Sequence, residues 1–140
     1  MPLVTVLLPC YNAELYIEEA VRSIMNQTYS NLEILIIDDC STDSSHEIVS
    51  RLAIEDERIR IIKNEKNLKL IKTLNKGLDL ARGDYIARMD ADDVSLPERI
   101  EKQINYMLSN PEVDLCGTNY TMINAEGNII GTSNYPLTNL

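Results

Sequence analysis

Apolar and polar residues follow two alternating rhythms along this chain. Short apolar runs are each followed by a stretch in which apolar residues recur every three or four positions. The first run, Leu3 to Leu8, is β-rich and stops at Pro9, which lacks the N–H that a central strand needs. The loop Pro9-Cys10-Tyr11-Asn12 follows, with Asn12 as an N-cap candidate. Ile17, Ala20, Val21, Ile24 and Met25 then predict a helix to about Gln27. A second strand, Leu32 to Ile37, ends at Asp38-Asp39-Cys40-Ser41. Ser44 and Glu47 have capping-box spacing before a helix that turns Ile48, Val49 and Leu52 inward.

The rhythm repeats twice more. Ile59 to Ile62 is a third strand, and Lys63 to Asn67 a polar loop. Leu70, Ile71, Leu74, Leu78 and Ala81 form a helical stripe, with Gly83 placed to end it as a C′ glycine. Tyr85 to Met89 reads as a strand buried on both faces, and it runs into Asp90-Ala91-Asp92-Asp93. Pro97 opens a further helix, whose Ile100, Ile104, Met107 and Leu108 face the core. Val113 to Gly117 reads as a fifth strand. Tyr120 to Ile123 and Asn128 to Gly131 read as a hairpin around Glu126-Gly127, and Thr132 to Leu140 carries no usable pattern.

Strand–helix alternation of this kind predicts an α/β fold, a mostly parallel sheet with helices on both faces, closed by a C-terminal β-hairpin. Ligands bind such sheets outside the carboxyl ends of the strands. The loops that converge there are Pro9 to Asn12, Asp38 to Ser41, Asn64 to Asn67 and Asp90 to Asp93, and each offers polar or carboxylate groups.

Composition narrows the chemistry. At 140 residues, with 44% apolar and 25% charged residues, the chain has the makeup of a globular domain. A net charge of −9 argues against nucleic acid as a partner. It also means that an anionic ligand needs a cation or backbone N–H groups to offset the acids. Three carboxylates within Asp90 to Asp93 repel one another unless screened, and hard cations such as Mg²⁺ and Mn²⁺ prefer oxygen ligands of this kind. Taken alone, the cluster reads better as a solvated acidic turn than as a metal site. The cysteines Cys10, Cys40 and Cys116 have no zinc spacing and fit a reducing compartment, which places the protein in the cytoplasm. No dinucleotide fingerprint, P-loop or nucleophile elbow is present, and the lone His46 reads as a surface or capping residue.

Two segments carry a family resemblance. VTVLLPCYNAELYIEEAVRSIMNQTYSNLEILIIDDCSTD from Val4 and LNKGLDLARGDYIARMDADDVSLPERIEKQ from Leu74 resemble the family 2 glycosyltransferases of GT-A fold, in order and over nearly the whole chain. The resemblance implies a nucleotide-sugar donor, usually a UDP-sugar, and a saccharide or lipid-linked acceptor. It implies donor contacts from Pro9, Tyr11, Asn12, Glu14, Asp39, Asn67, Asp90, Ala91 and Asp92. Asp39 would meet the base, and Asp90 and Asp92 would hold Mn²⁺ or Mg²⁺ on the diphosphate. Asp93 either faces the sugar or caps a turn, and Glu14 equally suits a first-turn acid of the first helix. Where many relatives read N-x-G, this chain has Asn67-Leu68-Lys69, so the freedom of a glycine to take positive φ is lost. Lys69 and Lys72 either reach a phosphate or sit on a solvated helix face.

The implied reaction is an inverting single displacement at the anomeric carbon, with an acidic base expected beyond Leu140. Residues 1–140 are thus expected to be one donor-binding domain of a longer enzyme. Peripheral contact of the full-length enzyme with the inner face of a membrane is compatible with this. The alternatives are a non-catalytic nucleotide- or metal-binding module and a receiver-type signalling domain. The latter calls for an acidic pair after the first strand, where this chain has Pro9-Cys10-Tyr11-Asn12.

Overall fold

A computed structural model describes residues 1–136. The chain divides into two compact units, Met1–Lys102 and a second from Gln103 onward. The first carries β1 (Val4–Cys10), α1 (Ile17–Met25), β2 (Leu32–Asp38), α2 (Ser45–Glu55), β3 (Ile59–Lys63), α3 (Lys69–Leu80) and β4 (Tyr85–Arg88). Then come α4 (Arg99–Ser109) and a hairpin of β5 (Thr121–Ile123) and β6 (Ile129–Thr132).

The four-stranded sheet has the order β3-β2-β1-β4 and is parallel throughout. β1 and β2 are central, and all seven residues of each are buried. This is why their sequences are near-continuous apolar runs. Side chains alternate across the sheet. Leu7, Leu35 and Ile37 pack with Ile62, Leu74, Leu80 and Ala81 on the face covered by α3. Val6, Leu8, Ile34 and Ile36 point the other way, towards the buried stripes of α1 (Ile17, Ala20, Val21, Ile24) and α2 (Val49, Leu52). Each fully buried aliphatic side chain contributes roughly 1.5–3 kcal/mol. The register pairs Cys10 with Asp38 and Asp38 with Lys63, so the loops after β1, β2 and β3 leave the sheet at one edge.

Several expectations need correction. Tyr85–Arg88 is an edge strand with alternating exposure, because it pairs with β1 alone. Asn12 does not cap α1, which begins five residues later behind an N-cap residue, Tyr16, that makes no side-chain cap bond. Ser44 is the N-cap residue of α2 but makes no capping-box bond; carboxylates of Glu14 and Asp43 serve that terminus instead. α3 buries Thr73 and Gly77, while Leu70, Ile71 and Leu78 are exposed. The helix approaches β1 so closely that a Cβ on Gly77 would lie 2.3 Å from Leu7 Cδ1. That contact rotates the predicted stripe outward. Gly83 is not a left-handed cap: α3 ends in extended backbone at Ala81. Gly83 is needed because an added Cβ would meet the Thr5 amide nitrogen at 2.5 Å. Leu108 is exposed. Val113–Gly117 forms no ladder; its first amide closes a turn on the Asn110 carbonyl, and Leu115 is 87% exposed. The hairpin is as expected, with Gly127 at φ +81°.

Candidate active site

Among the described residues three other than glycine adopt positive φ: Asn12 (+47°), Cys40 (+63°) and Lys69 (+67°). Asn12 and Cys40 lie in the loops after β1 and β2, and Lys69 is the first residue of α3, where the loop after β3 ends. Left-handed backbone costs a side-chain-bearing residue about 1–2 kcal/mol, and such strain persists where the surroundings impose it. All of it in the described residues is gathered at the carboxyl edge of the sheet.

The first two loops are laced together. The Asn12, Ala13 and Glu14 amides donate to Ser41 Oγ (3.1 Å), Ser45 Oγ (2.8 Å) and Asp43 Oδ2 (3.1 Å). In return the Thr42 amide donates to Asn12 Oδ1 (2.8 Å) and the Ser44 amide to Glu14 Oε2 (2.9 Å). Asn12 therefore serves as a strut in the loop, and Glu14 as a cap for the neighbouring helix α2.

Asp39 organises the third loop. Its Oδ1 accepts from Asn64 Nδ2 (2.8 Å) and the Leu68 amide (2.7 Å), and its Oδ2 from the Lys69 amide (2.9 Å). Burial alone would raise the Asp39 carboxyl, but the Leu68 amide, Asn64, Thr73 and the Lys69 amide together hold it below the usual range. All four donors are neutral, so the carboxylate keeps its negative charge at the cleft.

Two clefts open at this edge. The smaller, about 210 Å³, is lined by Pro9, Cys10, Tyr11, Asp39, Asn67, Lys69, Leu70 and Thr73. The larger, about 350 Å³, is lined by Pro9, Tyr11, Asn12, Ala13, Tyr16, Leu70, Asp90, Ala91 and Asp92. Pro9, Tyr11 and Leu70 belong to both. Eight of the residues expected to meet the donor thus line the clefts: Pro9, Tyr11, Asn12, Asp39, Asn67, Asp90, Ala91 and Asp92. Glu14 lines neither. Tyr16, Leu70 and Thr73 were not anticipated. Leu70 was hidden inside an apolar stripe read as core, and Tyr16 lacked any motif of its own.

The acidic loop is held from beneath. Arg88 Nη2 lies 3.0 Å from Asp90 Oδ1, and Arg99 Nη2 donates to the Arg88 carbonyl at 2.8 Å. Burial and the charges of Asp90 and Asp92 push the Asp93 carboxyl up, against the opposing charges of Arg99 and Arg88. Among the described residues no group of three or more His, Cys, Asp or Glu side chains forms a metal cage. Two carboxylates flanking a cleft nevertheless suit Mg²⁺ or Mn²⁺, which are commonly held by one or two carboxylates plus ligand phosphates and water.

A separate cluster lies under the clefts on the α1–α2 face. Asp38 is fully buried; its Oδ1 accepts from the Ser41 amide, and its Oδ2 lies 2.9 Å from His46 Nδ1. These two atoms have no other partner and are not aligned as a hydrogen bond, so the contact is an oblique ion-pair geometry. His46 is therefore a partner of a buried acid, which its isolation in the sequence did not reveal. Burial raises the neighbouring Cys10 thiol to about 11, which keeps it protonated and unreactive.

Comparison with known proteins identifies the family and the fold. Residues 5–139 match Glycosyl transferase family 2. An uncharacterized glycosyltransferase of Haemophilus influenzae is 46% identical over 132 residues, 94% of this chain and 41% of that protein. The Escherichia coli UDP-Glc:alpha-D-GlcNAc-diphosphoundecaprenol beta-1,3-glucosyltransferase WfgD is 36% identical over 92% of this chain and 49% of its own length. Among solved structures, TarS of S. aureus in complex with UDP-GlcNAc superposes with a TM-score of 0.72 at 27% identity, covering 77% of this chain and 32% of that one. A mannosyltransferase of Pyrobaculum calidifontis in complex with GDP-Man and Mn²⁺ gives 0.72 at 30% identity, covering 80% and 34%. The chain belongs to glycosyl transferase family 2 and has the GT-A fold. It spans about half the length, or less, of the relatives it matches.

Proposed function

We propose that this chain is the donor-binding part of a glycosyltransferase that takes its sugar from a UDP-sugar. The observation that carries the reading is the pair of adjoining clefts, one built on Asp39 and the other flanked by Asp90 and Asp92. The smaller cleft suits a nucleoside, with the ionised Asp39 in its lining to meet a base N–H. The larger suits the diphosphate and sugar. Asp92, with Asp90 beside it, would hold Mn²⁺ or Mg²⁺, which when bound supplies Lewis-acid stabilisation of the leaving diphosphate. Asp90 is already engaged by Arg88, so Asp92 is the freer ligand.

In the proposed transfer an acceptor hydroxyl oxygen bonds to the anomeric carbon as the carbon–phosphate oxygen bond breaks, inverting the centre. The nucleoside diphosphate leaves with the electron pair, and the hydroxyl proton passes to a base. That base is assigned to a carboxylate beyond Leu140, because Asp39, Asp90 and Asp92, the acids that line the clefts, are committed to the donor. The acceptor is a saccharide or a lipid-linked saccharide, a reading supported by the printed specificity of the E. coli relative. No helix among the described residues is long and apolar enough to cross a membrane.

The test is calorimetric titration with UDP, GDP and UDP-sugars, with Mn²⁺ and with EDTA. Metal-enhanced binding of a uridine nucleotide, lost in Asp92→Asn, is the expected result. Binding indifferent to both metal and that substitution would remove the acidic loop from the site.

A further inference from the structure

Lys69 occupies a position whose backbone asks for glycine. Its φ is +67°, and its amide is fixed by Asp39 Oδ2 at 2.9 Å and Asn67 Oδ1 at 3.2 Å. Glycine takes this conformation without steric cost, whereas lysine does not. Strain of this kind at the rim of a cleft points from an observed outlier to a function for the side chain.

The charge of the site gives that function its chemistry. Of the residues lining the two clefts, Asp39, Asp90 and Asp92 are acids and Lys69 is the one cation. The lining therefore sums to three negative charges and one positive, in a chain of net charge −9. The Lys69 side chain is exposed, and its ammonium takes part in none of the ion pairs among the described residues. The next residue, Leu70, lines both clefts, so Lys69 stands near their junction. Of the other cations of α3, neither Lys72 nor Lys76 is part of either lining, and Lys76 is tied to Asn64 Oδ1 at 2.8 Å.

We propose that Lys69 is a specificity-determining residue that binds a phosphate oxygen of the nucleotide where the nucleoside cleft meets the acidic cleft. The inference rests on the donor-binding reading above. The ammonium offers three donors to a charged oxygen and offsets the acids before a metal arrives. It gives this chain a metal-independent hold on a nucleoside phosphate that a glycine at the same position would lack. A phosphate contact and a contact to a base carbonyl would use the same ammonium, and uridine separates them because it has no phosphate.

The experiment is calorimetric titration of the chain with UDP, UMP and uridine in EDTA, at low and high salt. It compares wild type with Lys69→Met, Lys69→Arg and Lys69→Gly. Lys69→Met should weaken UDP and UMP about five- to tenfold at low salt, less at high salt, and leave uridine unchanged. Lys69→Arg should retain most of the affinity. Lys69→Gly should bind UDP as weakly as the Met variant while melting at a higher temperature, which separates lost binding from lost folding. Equal UDP affinity in wild type and Lys69→Met overturns the proposal, as does an equal loss for uridine. If wild type binds none of the three with or without Mn²⁺, the donor-binding reading itself fails.

Discussion

The two ends of β2 carry buried acids on the same face of the sheet, and the surroundings give them opposite uses. Glu33, near the amino end, accepts from Thr5 Oγ1 (2.6 Å), the Arg82 amide (2.9 Å) and Arg60 Nη1 (3.0 Å). Arg60 in turn donates to the Leu80 carbonyl, so the group ties three strands to the end of α3. Asp39, just past the carboxyl end, accepts from neutral groups, Asn64, Thr73 and two loop amides, and it lines a cleft. Burial opposes ionisation at both, and hydrogen bonds outweigh it at both. One carboxylate is neutralised by a cation and closed off. The other is held ionised by neutral donors and left open. A buried acid partnered by backbone amides retains charge for a ligand; one partnered by arginine has already spent it on the fold.

Substitutions can break this contrast. Glu33→Ala should destabilise the chain by about 3 kcal/mol in urea unfolding, since it strands Arg60 in a mostly buried setting. Nucleotide affinity of the molecules that remain folded should not change. Asp39→Ala should cost about 2 kcal/mol, because it orphans Asn64 and two amides, and should also abolish nucleotide binding. A binding defect in the first or intact binding in the second would erase the distinction.

Acid sharpens it further. Both carboxyls lie below their unfolded values, so their contribution is complete above those values and is lost as pH falls through the folded ones. Stability should decline below about pH 4.5, and Glu33→Gln should flatten that decline. Gly77→Ala probes the helix between the two ends. Overpacking against Leu7 should outweigh the gain in helix propensity by about 1 kcal/mol in thermal unfolding. The smallest effect concerns the strained edge itself. Cys40→Gly should stabilise by about 0.5 kcal/mol by relieving left-handed backbone, whereas the same change at an extended position would destabilise.

Much of this was legible in the sequence where one physical constraint dominated. β1 and β2 announce themselves because strands buried on both faces need apolar residues at every position. The convergence of Pro9, Tyr11, Asn12, Asp39, Asn67, Asp90 and Asp92 follows from parallel pairing, which sends every strand-end loop to one edge. What stayed hidden depends on contacts between segments distant in sequence. Glu14 resembles a first-turn acid until its carboxylate is seen on the Ser44 amide. Gly83 resembles a helix cap until Thr5 is seen behind it. Lys69 seemed to forbid positive φ, yet Asp39 imposes it. Val113–Gly117 shows the converse: strand-like residues form no strand without a neighbouring ladder.

The lacing of residues 12–14 to residues 41–45 makes the loops after β1 and β2 one mechanical unit. Neither can open while the other stays closed, because each supplies acceptors for the other's amides. In hydrogen exchange the amides of Asn12, Ala13, Glu14, Thr42 and Ser44 should therefore share one opening free energy. A ligand that touches only Tyr11 and Asn12 would slow exchange at Ser44, thirty-two positions from Asn12 along the chain.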